Sequence, residues 1–387
     1  MKARLSQRRE IYSEHLVSPI DPVLAVITLA LLVFGSIMVG SASMEIGLRN
    51  YGNPFHLVAI HHIYIFLGLL SFVFVLGLPM IFWERMGWVF LVISLFLLTA
   101  VLVPGIGKEV NGSVRWIQMG PINLQGSEFV KLFFLVYLAK SLTDKTDASL
   151  GNLRTFLVPT FFLGLIVLLL MQQPDFGASI VLILSSAAVL YLSGVSSRFL
   201  LPFGLLILMF IMVFSFIQPY RLERIISFSD PWHDPFGSGY QLTQALIAFG
   251  RGEWLGLGLG NSIQKLFFLP EAHTDFIFSI IGEELGFVGA ACVVLLFVTL
   301  VIRGLSIGNS ARRKGMNFHS SLAYGISILL GVQSVVNLGV NLGVLPTKGI
   351  TLPFISYGGN SLVVSLVMVA ILLRIEIEVR TGRERNV

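Results

Sequence analysis

The sequence predicts an all-α, polytopic integral membrane protein of about ten transmembrane helices, with a large extracytoplasmic loop between helices 7 and 8. Three observations carry this. Apolar residues make up 55% of the 387-residue chain and charged residues only 12%, about half the charged share of a soluble domain. Mean hydropathy is +0.85. Apolar runs of roughly 20 residues recur along the chain, each long enough to cross a bilayer as a helix. Basic residues are also shared unevenly between alternate loops.

The elements follow in order. Residues 1–21 are polar-rich, and nothing after the first apolar run reads as a clean cleavage site. The run 22–42 is therefore a span behind an N-terminal tail, not a removed signal peptide. Further apolar runs fall at 56–78 and 82–103. Residues 104–127 read as a loop. The span 128–143 opens on Glu128 and Lys131, whose i,i+3 spacing lets them pair on one helix face. Spans at 156–172 and 177–194 flank Gln173-Pro174-Asp175, a turn signal. After 199–217 comes the longest polar segment, 218–274, which reads as loop. Span 275–302 starts behind it, followed by 321–343 and 360–375. Residues 22–375 thus form one membrane domain, and 376–387 a second polar tail.

An even number of spans puts both termini on one side. Of the Lys and Arg residues, 17 fall on the side of the termini, 8 on the other, and Lys131 within a span. The positive-inside rule makes the side of the termini cytoplasmic. Loops 104–127 and 218–274, and the turns near 173–176 and 344–359, are then external. The net charge of +5 suits orientation and contact with anionic membrane lipid, and nucleic acid is not expected as a partner. Cys292, the only cysteine, excludes an intramolecular disulfide.

The chemically dense segments all fall on the external side. Leu269-Pro-Glu-Ala-His273-Thr-Asp275-Phe-Ile-Phe278 packs ionisable groups just before a membrane-length run. Such groups are expensive at a membrane edge and point to function. Asp275 is a candidate general base; the competing reading has Thr274 or Asp275 cap the helix that follows. His273 could be a base, a ligand or scaffold. Glu283 and Glu284 lie within the span and must be paired or face a wet cavity; pairing with a basic residue of another helix is the structural reading. Arg115 and Trp116 could anchor the loop in the interface or bind phosphate through the guanidinium fork. Lys348 amid apolar neighbours is a natural anion site, and Arg251 is a further external cation. Ser356, Gly358 and Gly359 belong to a second external Gly/Pro-rich element. Gly256-Leu-Gly-Leu-Gly260 lacks the βαβ context of a nucleotide fingerprint and suits close loop packing instead. His56, His61 and His62 show no metal-ligand spacing. The residues alone thus give an external polar site with a carboxylate and several cations, suited to an anionic amphiphile.

Together these motifs resemble the SEDS family (shape, elongation, division and sporulation). The residues are Asn111-Gly-x-x-Arg115-Trp116-Ile117, Gln173-Pro174-Asp175, the 269–278 motif, Gly282-Glu-Glu-Leu-Gly286 and Ile355-Ser-Tyr-Gly-Gly359. Leu345-Pro-Thr-Lys-Gly-Ile-Thr-Leu-Pro353 resembles the division branch; the elongation branch usually reads Leu-Pro-Val-Thr-Gly there. Two positions depart from the pattern: Gly126 where Pro is usual, and Asn360 where Ser is common.

The resemblance implies a peptidoglycan glycosyltransferase that polymerises lipid II on the outer face of the bacterial cytoplasmic membrane at the division septum. Asp275 would be the base, and undecaprenyl pyrophosphate the leaving group. Arg115, Trp116, Lys348, Arg251, His273, Ser356, Gly358 and Gly359 would contact lipid II or its pyrophosphate, with a divalent cation (Mg or Mn) as a candidate helper. Glu128, Lys131, Asp175, Glu283 and Glu284 would be structural or coupling residues. The implied partners are a class B penicillin-binding protein (an FtsI-like transpeptidase) and FtsQ/FtsL/FtsB-type divisome proteins. Two other functions fit the same resemblance, a lipid II flippase and a scaffold that recruits the transpeptidase. A flippase needs polar residues lining a path through the bilayer, and only Glu283 and Glu284 hint at one.

Overall fold

The computed structural model describes residues 21–110, 113–119, 122–143, 152–205, 209, 228, 230–346 and 349–382. Residues 1–20 and 383–387 of the expected tails and most of span 199–217 lie outside these residues, while 376–381, expected as tail, continue the last helix.

Helix α1 (Pro22–Tyr51) shows how the sequence sets its own limits. Asp21 accepts hydrogen bonds from the Val23 and Leu24 amides (2.9 and 3.2 Å), and Pro22 takes the first helical position. Gly52, in the left-handed region (φ 67°), closes the far end by donating to the Leu48 carbonyl. No proline falls between Pro22 and Gly52, so α1 runs well beyond the expected end at 42. Helix α2 (His56–Gly77) follows, and the expected span 82–103 forms two pieces, α3 (Met80–Arg85) and α4 (Gly87–Leu102).

The segment expected as a plain loop, 104–127, folds into a three-stranded antiparallel sheet, β1 (Gly107–Val110), β2 (Ser113–Met119) and β3 (Ile122–Gln125), with β2 central. Trp116 stands opposite Lys108 on one side and Gln125 on the other. β-Branched and aromatic residues in Val114-Arg-Trp-Ile117 favour a strand. The chain continues through α5 (Gly126–Thr143), α6 (Leu153–Gln172) and α7 (Phe176–Leu192). The segment 218–274, expected as loop, holds a helix of its own, α8 (Tyr240–Gly252), and a π-type turn, Gln264–Phe268. The set ends with α9 (Ile277–Arg313), α10 (Asn317–Asn341) and α11 (Gly359–Thr381).

Helix α9 is not the continuous rod that the run 275–302 suggests. Gly286 (φ 66°, ψ −165°) breaks it into two segments. A break strands backbone groups that must be satisfied inside a membrane protein. The loop 253–258 satisfies them. The Leu257 and Gly258 amides donate to the Glu283 and Glu284 carbonyls (both 3.0 Å). The Phe287 and Val288 amides donate to the Glu253 and Trp254 carbonyls (2.9 and 3.2 Å). Contact this close needs Gly256, where a β-carbon would collide with the Glu284 carbonyl.

Five described helices are long and apolar enough to cross a membrane, and α4 and α7 are shorter apolar helices. Helix α10 is the central one, with 72% of its most apolar window buried; α2, with 17%, presents most of its surface outward. α10 packs against α9, and α2 against α11. Arg303 of α9 pairs with Asp21 (Nε to Oδ2 3.0 Å), which ties the far half of α9 to the start of α1.

Candidate active site

Asp275 stands at the entrance to α9, half-buried. The N-cap position falls one residue later, on Phe276, whose side chain makes no capping bond. The Thr274 hydroxyl turns back to the Glu271 carboxylate (2.7 Å), so it does not cap either. The capping role expected for these two residues is therefore not found: the tight turn over 271–276, closed by the Phe276 amide on the Glu271 carbonyl (3.1 Å), displaces the cap.

Asp275 is anchored through its main chain. Asn337 and Asn341 of α10 both donate from Nδ2 to its carbonyl oxygen, each at 2.9 Å. Asn341 is held in turn by Ser279, whose amide and hydroxyl donate to its Oδ1 (3.1 and 2.8 Å). Asn337 Nδ2 also donates to the Ile350 carbonyl (2.6 Å), and Gln333 Nε2 to the Thr351 carbonyl (3.1 Å). One face of α10 thus grips both Asp275 and the segment 349–351. A β-carbon on Gly349 would lie 3.0 Å from the Asp275 carboxylate, so this segment runs directly beside the acid. Lys348 lies outside the described residues; its neighbour Gly349 marks where that stretch of chain meets Asp275.

His273 joins the same group. Its carbonyl accepts from the Tyr357 amide (3.0 Å), and its ring lies 5.5 Å from the Tyr357 ring. Burial lowers the imidazole pKa, with Glu271 opposing. Ser356 closes its own turn, its hydroxyl accepting from the Leu352 amide (2.8 Å). Gly358 lies against Thr351, Gly359 against the Tyr64 ring, and the two lead into α11. Asn360 donates to the Asn123 carbonyl of β3 (2.7 Å), linking the sheet to this side of the site.

Other candidates form separate groups. Glu283 and Glu284 are fully buried. Arg251 Nε lies 3.4 Å from Glu283, and Lys265 Nζ 2.8 Å from Glu284. Glu283 also accepts from the Ser262 hydroxyl and from the Ile263 and Gln264 amides (both 3.2 Å). Glu284 accepts from the Ser41 hydroxyl (2.7 Å). Arg251 is thus engaged with this cluster.

Glu128 and Lys131 pair at 2.9 Å, and Lys131 continues to Gln333 Oε1 at 2.7 Å. This pair therefore supports the α10 face that holds Asp275. Arg115 of β2 donates from Nε to the Gln173 carbonyl (3.2 Å) and from Nη2 to the Pro174 carbonyl, fixing the turn before α7. Trp116 beside it is half-buried. Asp175 caps α7 through the Ala178 amide (3.2 Å), and its second oxygen is buried without a partner. That turn faces the site, because Gly177 abuts Ile350.

Gln333, Asn337 and Asn341 were not among the sequence candidates. Their signal is readable: polar amides at i, i+4 and i+8 within an apolar run mark one helix face. Lys265 had no such signal, because its partner Glu284 is distant in the chain.

Fold and site together define a polytopic helical membrane protein whose carboxylate-centred site is built between a broken helix and its neighbours. The FtsW/RodA/SpoVE model, described as cell cycle protein, matches residues 22–381, and the chain belongs to that family. The protein named "Probable peptidoglycan glycosyltransferase FtsW" of Allochromatium vinosum is 50% identical over 369 residues, covering 94% of this chain and 91% of its own. Its namesake from Marinobacter nauticus is 49% identical over 366 residues, with 94% and 91% covered. Among solved structures, one reported under "Structural coordination of polymerization and crosslinking by a peptidoglycan synthase complex" aligns with a TM-score of 0.75 at 29% identity, covering 95% of this chain and 98% of that one. Rod shape determining protein RodA of Thermus thermophilus aligns at 0.68 and 28% identity, covering 94% and 98%.

Proposed function

We propose that this protein is a peptidoglycan glycosyltransferase that polymerises lipid II during septal wall synthesis. The observation that carries the reading is Asp275: a half-exposed carboxylate, fixed through its main chain by two asparagines rather than spent as a helix cap. That is how a general base is held, rigid in the backbone and presented at a surface.

The chemistry follows. The acceptor GlcNAc hydroxyl gives its proton to Asp275 as its oxygen attacks the anomeric carbon of the donor MurNAc. The bond to undecaprenyl pyrophosphate breaks, and its electron pair leaves on the pyrophosphate. Attack opposite the α-linked leaving group gives a β-linkage with inversion and no covalent enzyme intermediate. A positioned base contributes about 10²–10⁴-fold. Lys348, and the N–H groups of Arg115 not engaged with the 173–174 carbonyls, are the cations we assign to the departing pyrophosphate.

Among the described residues, no three His, Cys, Asp or Glu side chains group to hold a metal. A Mg or Mn ion would arrive with the substrate, and Asp275 would be the residue to hold it, since Mg commonly takes one or two carboxylates plus substrate phosphates. It would neutralise leaving-group charge, and no step above depends on it.

The same reading places about ten spans in the cytoplasmic membrane, both termini inside, and the 218–274 loop outside at the septum. Its partners would be a class B penicillin-binding protein of FtsI type and FtsQ/FtsL/FtsB-type divisome proteins.

The test is direct. Purified protein with its transpeptidase partner is given lipid II, and glycan strands are resolved by length. The reading predicts strands many units long. Movement of lipid II across vesicles without polymer would favour the flippase instead, and neither activity would leave a scaffold.

A further inference from the structure

We infer that Asn337 is a positioning residue for the reaction, setting the gap between the base and the segment that faces it. The inference rests on the glycosyltransferase reading above. Asn337 is 2% exposed and sits in the last turns of α10, where a buried amide is costly unless its hydrogen-bonding groups are used. It is fully used. A side-chain amide has two N–H donors. Nδ2 contacts the Asp275 carbonyl at 2.9 Å and the Ile350 carbonyl at 2.6 Å. These acceptors belong to the two walls of the site. One is the main chain of the base; the other is the segment whose Gly349 lies directly beside the Asp275 carboxylate. A single planar group therefore fixes the spacing of the acid and the 349–351 segment.

The supporting contacts confine Asn337 to this role. Asn341, one turn on, shares the Asp275 carbonyl (2.9 Å) and donates to the Asn337 carbonyl (2.9 Å). Gln333, one turn back, holds the Thr351 carbonyl and is itself held by Lys131. Of these three amides, Asn337 alone bridges both walls. Asn341 touches only the Asp275 side, and Gln333 only the 351 side.

Transfer demands reacting atoms near 3–3.5 Å apart, and a misplacement of about 1 Å can cost roughly 100-fold in rate. Asn337→Gln keeps both donors but moves them by one methylene. Asn337→Leu keeps the volume and removes them. Full-length wild type, both variants and Asp275→Asn are assayed with the transpeptidase partner on lipid II, with kcat, KM and melting temperature measured together. A positioning role predicts that Asn337→Gln folds, with kcat down about 10–100-fold and KM within about threefold. Asn337→Leu should lose at least as much. A folded Asn337→Gln with kcat within about threefold of wild type overturns the inference. So does failure of both variants to fold, which would make Asn337 a structural residue. If Asp275→Asn is inactive while Asn337→Gln is normal, the inference falls alone. If wild type makes no glycan, the functional reading falls first.

Discussion

The first turns of α9 and the residues just before it carry two acidic regions, held in opposite ways. Glu283 and Glu284 are fully buried, and each of their oxygens accepts at least one hydrogen bond. Asp275 is half-exposed, and its described anchors grip the main chain. Buried carboxylates survive in a membrane protein only when paired and saturated. A carboxylate meant for proton transfer needs a rigid backbone and an accessible side chain. The contrast separates the acids that hold the broken helix from the acid to which we assign the chemistry.

The largest effects should come from the structural region. Gly256→Val places a branched side chain at φ 80° and against the Glu284 carbonyl. It should abolish monodisperse protein after detergent extraction, measured by size exclusion. Ordinary yield would mean that the 253–258 loop does not close the break.

Next is Lys265→Met, which leaves Glu284 buried beside no cation and should cost about 3–5 kcal/mol. The double variant with Glu284→Gln should recover most of the lost melting temperature, because position 284 then carries no unpaired buried charge. The folded fraction of either should polymerise at the wild-type rate per molecule. A loss of turnover without loss of stability would erase the distinction between the two regions.

Arg115→Lys should have a smaller effect on stability. It breaks a two-pronged grip on the Gln173 and Pro174 carbonyls that an ammonium cannot reproduce. Stability should fall by about 1–2 kcal/mol. Turnover should fall by about tenfold, through the loosened turn and the weaker anion site. Unchanged turnover would restrict Arg115 to anchoring.

The smallest effect concerns pH. Burial depresses the His273 pKa in the folded state, so the folded protein binds fewer protons there than the unfolded chain. The stability this contributes is present above the unfolded value near 6.5 and is lost as pH falls through and below it. His273→Gln should therefore show a flatter decline in melting temperature between about pH 7 and 5. An identical decline would remove His273 from that titration.

How much of this was legible depends on how local the signal is. The described apolar helices were legible because a bilayer demands long apolar runs. Glu128 and Lys131 were legible as a pair because one helix turn separates them. The sheet over 107–125 is masked in the hydropathy pattern, which marks 104–127 only as a polar break between spans, although Asn111-Gly112 between strand-forming residues is a strong hairpin signal. The break at Gly286 was hidden because one glycine in an apolar run leaves the helical pattern intact. The partners of Glu283 and Glu284 were unreadable: Arg251 and Lys265 are brought close only by the packed loop. The amide ladder of α10 was present as Gln333, Asn337 and Asn341, but its acceptors are main-chain oxygens, which a sequence does not display.

The central claim is that Asp275 is the base and that its side chain is not needed for folding. Asp275→Asn keeps the size and the main-chain carbonyl gripped by Asn337 and Asn341, and removes the proton acceptor. The decisive measurement is lipid II polymerisation and melting temperature of this variant, in one preparation with the transpeptidase partner. The account predicts a melting temperature within about 3 °C of wild type and polymerisation reduced at least about 100-fold. A folded Asp275→Asn protein that polymerises within about tenfold of wild type would contradict it.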